Sequence, residues 1–162
     1  MEISITRVEG EEFSTLSKLA GEINRQHFPD ILGAAETEEM IRLYLTPEAL
    51  RAQTEKGVTW FLARADGVPA GYCAYLYEGD IFFIDKYYVK KEFRQMGIGG
   101  RMMDEMLACR GGRKIVRLTV NQGSKVAQAV YKKMGFYQID TITMENGPAW
   151  TLYLLEKIME EA

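Results

Sequence analysis

Two cysteines, one histidine, two tryptophans and four prolines are all that the 162 residues hold of those types. So little cysteine excludes a disulfide-stapled scaffold, and Cys73 and Cys109 stand in different apolar contexts. One histidine with two cysteines does not make a zinc site, so no metal is expected. No apolar run reaches the ~18–20 residues of a membrane span, so no membrane partner is expected either. The opening M-E-I-S-I-T-R-V-E-G-E-E is acidic and strand-like, which is not the pattern of a signal peptide. A reduced, cytoplasmic setting is the resulting expectation. Hydrophobic residues are 47% and charged residues 27%, near globular averages, which excludes disorder and collagen-like repeats. A chain of this length suits one domain, 1–162, with a core of its own.

What charge there is stands unevenly. Residues 86–133 hold 12 Lys and Arg against three acids, a local +9, and the rest of the chain carries −12. A basic segment suits an anionic partner and an acidic remainder a cationic one, although two solvated faces give the same pattern. Nucleic acid is not expected as the partner, because the basic segment lacks an RNP-type aromatic run or a recognisable reading helix.

Hydrophobic period sets the elements. Ile3–Val8 alternates as a strand, and Glu11 to Asn24 carries apolar residues at helical spacing. Arg25 to Ala35, with Pro29 and Gly33, reads as a loop. Thr37 is placed to cap a short helix through Leu45, and Thr46 with Pro47 behind it starts another that ends at Gly57. Val58–Ala65, Pro69–Tyr77 and Ile81–Val89 form a meander turned at Asp66-Gly67 and at Glu78-Gly79-Asp80. Then come a helix over Gly97–Arg110, a strand over Ile115–Val120 and a helix over Ser124–Met134. Two strands, Phe136–Met144 and Ala149–Leu155, close the chain through Glu145-Asn146-Gly147-Pro148. The order predicts a mixed α/β fold: a meander feeding one crossover helix, then a strand able to pair in parallel. A nucleotide-like ligand is expected where the third meander strand runs into the long helix.

That junction reads V-K-K-E-F-R-Q-M-G-I-G-G-R-M-M. Gly97, Gly99 and Gly100 remove Cβ atoms so that backbone N–H groups can meet an anion, and Arg94 and Arg101 add charge. A pyrophosphate fits such a turn. It is not a Walker loop, since no Gly-Lys-Ser/Thr follows, and Met102 stands where a dinucleotide fingerprint needs glycine. The same glycines also suit tight strand-to-helix packing. A second unit, T-V-N-Q-G-S-K-V-A-Q-A-V-Y-K-K-M-G-F, sets Asn121 at a strand end and Tyr131 inside the following helix.

Together the two units resemble the GCN5-related N-acetyltransferases, the GNAT superfamily. The family's turn has Gln or Arg, two free residues, Gly, one free residue, and Gly or Ala, and R-Q-M-G-I-G is similar at every fixed position. The later run is matched by Asn121, Ser124, Ala127, Tyr131, Gly135 and Phe136, about 27 residues further on. Within the superfamily the chain looks most like bacterial members of the small-amine or polyamine-acetyltransferase kind. The resemblance implies a central, mostly antiparallel sheet with a splayed parallel strand pair, here Ile81–Val89 and Ile115–Val120, and flanking helices. It implies acetyl-CoA as co-substrate. Tyr88 and Val89 would pair with the pantetheine arm. The backbone of Gln95, Met96, Gly97, Ile98, Gly99 and Gly100 would hold the pyrophosphate, with Arg94 and Arg101 beside it. Asn121 would bond the pantetheine arm, and Tyr131 would point at the CoA sulfur.

The implied reaction asks for few groups. An amine attacks the thioester carbonyl only when neutral, so a base or a water chain accepts its proton. The carbonyl oxygen needs a donor, by resemblance a backbone N–H near Val89. Tyr131 suits the acid that returns a proton to the thiol, and it equally suits a helix tyrosine with a core ring and a wet hydroxyl. Asp85 is the candidate base: it shares a face with Tyr87 and Val89 in an otherwise apolar strand. The alternatives for Asp85 are a cation-binding carboxylate or a structural pair. Glu22, His27 and Asp30 border the region that frames the acceptor in the family, and each is expected at the surface or as a cap. Tyr72, Tyr75, Tyr87 and Trp150 are expected in the core rather than in an aromatic pocket. One departure stands out: Lys91 occupies a place where the family often has proline, so the turn loses that source of stiffness. The acceptor is expected to be a small cationic amine such as a polyamine. A protein amine, or a non-catalytic acyl-CoA-binding regulator on the same fold, is the alternative. A homodimer is the expected assembly, since two-fold dimers are the commonest oligomers.

Overall fold

Apolar residues two apart on the strands and three to four apart on the helices bring the N-terminal half together around a sheet faced by helices. The computed structural model describes residues 1–145 and 147–160. Its helices are α1 (Glu12–His27), α2 (Pro29–Leu32), α3 (Ala34–Tyr44), α4 (Pro47–Glu55), α5 (Ile98–Leu107) and α6 (Lys125–Lys133). Its strands are β1 (Ile3–Arg7), β2 (Thr59–Ala65), β3 (Val68–Glu78), β4 (Ile81–Val89), β5 (Ile115–Asn121), β6 (Tyr137–Ile142) and β7 (Leu152–Ile158). Among the described residues the hydrogen-bonded strand order is β1-β2-β3-β4-β5-β7-β6. Among these residues the sheet is mostly antiparallel, with β4 and β5 its one parallel pair, which is the mixed α/β architecture expected. None of the described helices is long and apolar enough to cross a membrane.

The chain condenses into two compact units. One comprises Met1–Leu76 with Lys86–Cys109, the other Tyr77–Asp85 with the chain from Arg110 onward. In the first, β1 pairs antiparallel with β2, and β2 with β3 across the Asp66-Gly67 turn. Phe13, Leu16, Leu19, Ala20 and Ile23 of α1 pack with Leu50 of α4 on Trp60, Leu62, Tyr72 and Ala74, one face of β2 and β3. The alternate residues face α5: an added Cβ at Gly71 would lie 3.2 Å from Met102 Cε. Thr46 caps α4 as expected, its hydroxyl accepting from the Ala49 amide at 3.1 Å.

Two local expectations need correction here. The loop expected over Arg25–Ala35 is largely helical. α1 runs on to His27, and Pro29 opens α2 at the first helical position, where its missing N–H costs nothing. Thr37 does not cap α3. It lies inside that helix, buried, with its hydroxyl donating back to the Gly33 carbonyl at 2.7 Å, the inward bond that competes with capping.

In the second unit, β5 is central. It pairs in parallel with β4 from Ile81↔Ile115 to Ile84↔Leu118, and antiparallel with β7 along its length. β7 in turn pairs antiparallel with β6. Phe82, Ile84, Val116, Leu118, Val120, Tyr131, Phe136 and Leu155 are its buried apolar residues. The last strand begins later than expected, because Pro148–Trp150 form a 3-10 turn and leave Leu152 to open β7. Of the expected connection before it, Asn146 lies outside the described residues.

Candidate active site

After Val89 the backbone changes direction in a few residues. Lys90 is extended (φ −57°, ψ 137°), Lys91–Phe93 make a 3-10 turn, and Arg94 is extended again (φ −70°, ψ 155°). Gln95 (φ 64°) and Gly97 (φ 84°) are both left-handed, a region that a residue with a Cβ enters at a cost. Gly97 is the N-cap of α5 and brings no side chain to the first amides of the helix. Residues 94–97 are exposed, and Ile98, buried beside them, anchors the start of the helix. An added Cβ at Gly100 would meet nothing within 4 Å, but one at Gly99 would lie 2.8 Å from the Tyr87 hydroxyl. The turn therefore offers backbone N–H groups and the positive end of a helix, with side chains removed from between them. Such an arrangement suits an anion such as a pyrophosphate. Arg94 and Arg101 are exposed beside it, and the Arg101 guanidinium lies 3.5 Å from the Ile3 carbonyl oxygen.

The turn rests on tight packing. Burial, with smaller contributions from Cys73 and Asp104, pushes the Tyr87 phenol well above its ordinary range, so the hydroxyl against Gly99 stays protonated. At Gly71 an added Cβ would come within 2.8 Å of the Tyr88 carbonyl oxygen and 3.4 Å of Val89 Cα. The Lys90 amide donates to the Ala70 carbonyl at 2.7 Å. Gly71 thus lets β3 approach the end of β4. Sequence reasoning passed over it, and its one signal was a glycine inside a strand pattern, which marks a close backbone approach.

The Tyr88 ring packs on Tyr72 (5.5 Å between centroids), Phe28 (6.3 Å) and His27 (6.2 Å). His27 is not the surface residue expected. Phe28 lies edge-on to it at 4.6 Å, and burial, then the charge of Arg94, lowers its pKa, so the ring is neutral at pH 7. Glu22 is half-buried and accepts from Lys90 Nζ at 3.0 Å, whereas Asp30 is exposed in the first turn of α2. Tyr72 and Tyr75 are buried, as expected of core residues, while Tyr87 and Trp150 are half-buried.

The other sequence-selected residues lie in the second unit. Asp85 is half-buried on β4, one residue past the end of the parallel register at Ile84↔Leu118. Asn121 ends β5 and is buried. Its Oδ1 accepts from the Gly123 amide at 2.8 Å, and its Nδ2 donates to the Ala149 carbonyl at 2.8 Å. Tyr131 is buried on α6, edge-on to Phe136 with 5.9 Å between centroids.

Residues 21–136 match the family described as Acetyltransferase (GNAT) family. The chain belongs to this family. Among solved structures, the GNAT chain is similar to PaiA N-acetyltransferase from Thermoplasma acidophilum, determined in complex with coenzyme A. That match has a TM-score of 0.84 and 24% identity over 98% of this chain and 99% of that one. It is also similar to YjaB from Escherichia coli in its apo form (TM-score 0.71, 24% identity, 99% and 100% covered). A third likeness is to the ribosomal-protein-S18-alanine N-acetyltransferase of Escherichia coli (TM-score 0.70, 13% identity, 99% and 96% covered). At these identities the likeness is one of fold. No curated protein matches the GNAT chain.

Proposed function

We propose that the chain is an N-acetyltransferase that moves the acetyl group of acetyl-CoA directly to a primary amine, in a ternary complex. The observation that carries this is the turn ahead of α5, with Gln95 and Gly97 left-handed and a glycine at the helix cap. The coenzyme A complex of the similar PaiA protein supports the choice of anion. Acetyl-CoA supplies the activated acetyl group and a thiol leaving group.

The amides of Gln95 through Gly100 hold the pyrophosphate, with Arg94 and Arg101 adding charge. The backbone of Tyr88 and Val89 holds the pantetheine arm. It is suited to this because the recorded pairing of β4 with β5 ends at Ile84, five residues before the strand does. Asn121 adds a polar contact to that arm. Asp85 accepts the amine proton, directly or through water, so that the amine attacks in its neutral form. A backbone N–H near Val89 stabilises charge on the carbonyl oxygen. Tyr131 returns a proton to the thiol. The acceptor is a small cationic amine of the polyamine class, in keeping with the −12 carried outside the basic segment. The reading takes residues 1–162 as one catalytic domain acting in the cytoplasm, without metal, as a homodimer.

The test is thiol release from acetyl-CoA across spermidine, spermine, aminoglycosides, amino acids and short peptides at pH 7 to 9. Release with polyamines is expected. Tyr131→Phe should lower kcat about tenfold or more while leaving acetyl-CoA affinity unchanged, since proton transfer by a placed group contributes about 10²–10⁴-fold. Unchanged turnover removes Tyr131 from the chemistry. Binding of acetyl-CoA with no release to any amine points instead to a regulator.

A further inference from the structure

Gln26 stands on the exposed last turn of α1, far in sequence from the glycine turn. Both ends of its side-chain amide are engaged there. Oε1 accepts from the Lys91 backbone N–H at 3.1 Å, and Nε2 donates to Glu92 Oε1 at 2.9 Å. Glu22, four residues earlier and so on the same helix face, accepts from Lys90 Nζ at 3.0 Å. One stripe of α1 is thereby tied to three consecutive residues, Lys90, Lys91 and Glu92, which open the 3-10 turn leading into Arg94–Gly97.

We propose that Gln26 is a positioning residue: it fixes the 3-10 turn over Lys91–Phe93 and, through it, the amides that hold the pyrophosphate. The inference rests on the reading of that turn as the acetyl-CoA site. The turn needs outside support because little of its own holds it. It is three residues long, no side chain caps it, and its backbone bonds are Phe93 N–H to Lys90 O at 2.9 Å and a long Arg94 N–H to Lys91 O at 3.4 Å. Left-handed Gln95 follows at once, a conformation that persists only where its surroundings hold it. An anion site that must be ordered on binding loses affinity to that ordering, and a pre-ordered one does not.

The backbone also shows how to test this. Lys90, at φ −57° and ψ 137°, already has the extended conformation required before a proline, and Lys91 is the first residue of the turn, where proline fits. A proline at 91 would stiffen the turn covalently and would remove the N–H that Gln26 binds. The two devices exclude each other, so one should rescue loss of the other.

Acetyl-CoA binding and steady-state kinetics are compared in wild type, Gln26→Ala, Lys91→Pro and the double variant. Gln26→Ala should raise the Kd and the KM for acetyl-CoA about fivefold, about 1 kcal/mol, with kcat within about twofold, since no reacting atom is touched. Lys91→Pro should bind like wild type, and the double variant should bind like Lys91→Pro rather than like Gln26→Ala. Amide hydrogen exchange in the ligand-free protein gives a second readout. Exchange at Phe93 and Arg94 should speed up in Gln26→Ala and recover in the double variant. Unchanged Kd and exchange in Gln26→Ala, or a double variant as weak as Gln26→Ala, would overturn the proposal. Should wild type bind neither acetyl-CoA nor CoA, the acetyl-CoA reading fails, and the exchange rates alone decide whether Gln26 sets the turn.

Discussion

Two strand-to-helix turns carry the motifs of this chain, and they are built in opposite ways. The turn between β4 and α5 has glycine at its helix cap and two left-handed residues, and its support comes from Gln26 and Tyr87, outside the turn. The turn between β5 and α6 is held by its own polar groups. Asn121 Oδ1 takes the Gly123 amide, the Asn121 carbonyl takes the Ser124 amide, and Gln128 Nε2 donates to the carbonyls of both Asn121 and Gln122. Backbone donors must be paired somewhere when buried. The second turn pairs the Gly123 and Ser124 amides internally, sends others to Ala149 and Thr151, and buries Asn121 and Ser124, whereas the first leaves residues 94–97 exposed. The contrast separates two jobs that a strand-to-helix turn can do. On the proposed reading one turn receives an anion, while the other stays as it is.

The largest effect should come from charging the open turn. Gly99→Glu puts a carboxylate into the proposed anion site and a Cβ 2.8 Å from the Tyr87 hydroxyl. We expect acetyl-CoA affinity to fall at least about 100-fold, in line with a like charge placed against the phosphates at short range. Calorimetric titration checks it, and tight binding by Gly99→Glu would show that the turn is not the anion site. Gly100→Ala is the contrast: nothing lies within 4 Å of its added Cβ and alanine suits a helix better than glycine, so its thermal stability should equal or exceed that of wild type.

Breaking the closed turn should cost stability even before any ligand is bound. Asn121→Ala removes the bonds to Gly123 and Ala149 from a residue that is 7% exposed. Leaving such groups unpaired costs about 1–3 kcal/mol, which in a chain of this size lowers Tm by roughly 2–4 °C per kcal/mol. Asn121→Asp keeps the acceptor for the Gly123 amide but sets a charged carboxylate oxygen against the Ala149 carbonyl in a buried place, so at neutral pH it should be no more stable than Asn121→Ala. Ligand-free melting that is equal for all three proteins would mean that the internal bonds do not hold this turn.

Much of this was legible in the sequence where the signal is local. Ile81–Val89 follows from an apolar run between two turns, and its observed bounds are the same. Thr46-Pro47 announced a helix start, and the Gly97–Gly100 run announced the turn into α5. What the sequence hid is set by distant partners. Gln26 meets Lys91 and Glu92 across some 65 residues, and Gly71 matters only because the Tyr88 carbonyl stands over it. Pro29 and Gly33 read as loop because each breaks a helix, yet each here sits at a helix start, so the chain re-enters helix at once. His27 looked like a lone surface histidine because nothing nearby in sequence says that Tyr88 packs beside it.

His27 gives the smallest effect, and it bears on the first turn alone, since Arg94 is the charge it feels. Burial first and Arg94 second lower its pKa from 6.5, so the folded protein binds this proton less readily than the unfolded chain. A group of this sign contributes stability that is fully present above the unfolded pKa, about 6.5. That contribution is lost as pH falls below it, because protonation then favours the unfolded chain. Between pH 7.5 and 5.5 the wild type should therefore lose more stability than His27→Gln, whose side chain does not titrate. Denaturant midpoints of the two proteins across that range measure the difference directly. Amide exchange resolved by residue, taken as protection relative to the intrinsic rate at each pH, then locates it: protection at Phe93 and Arg94 should fall on acidification, while that at Gly123 and Ser124 stays level. A gap between the midpoints that does not change with pH would mean that His27 titrates alike in both states, and that Phe28 and Tyr88 do not shield it.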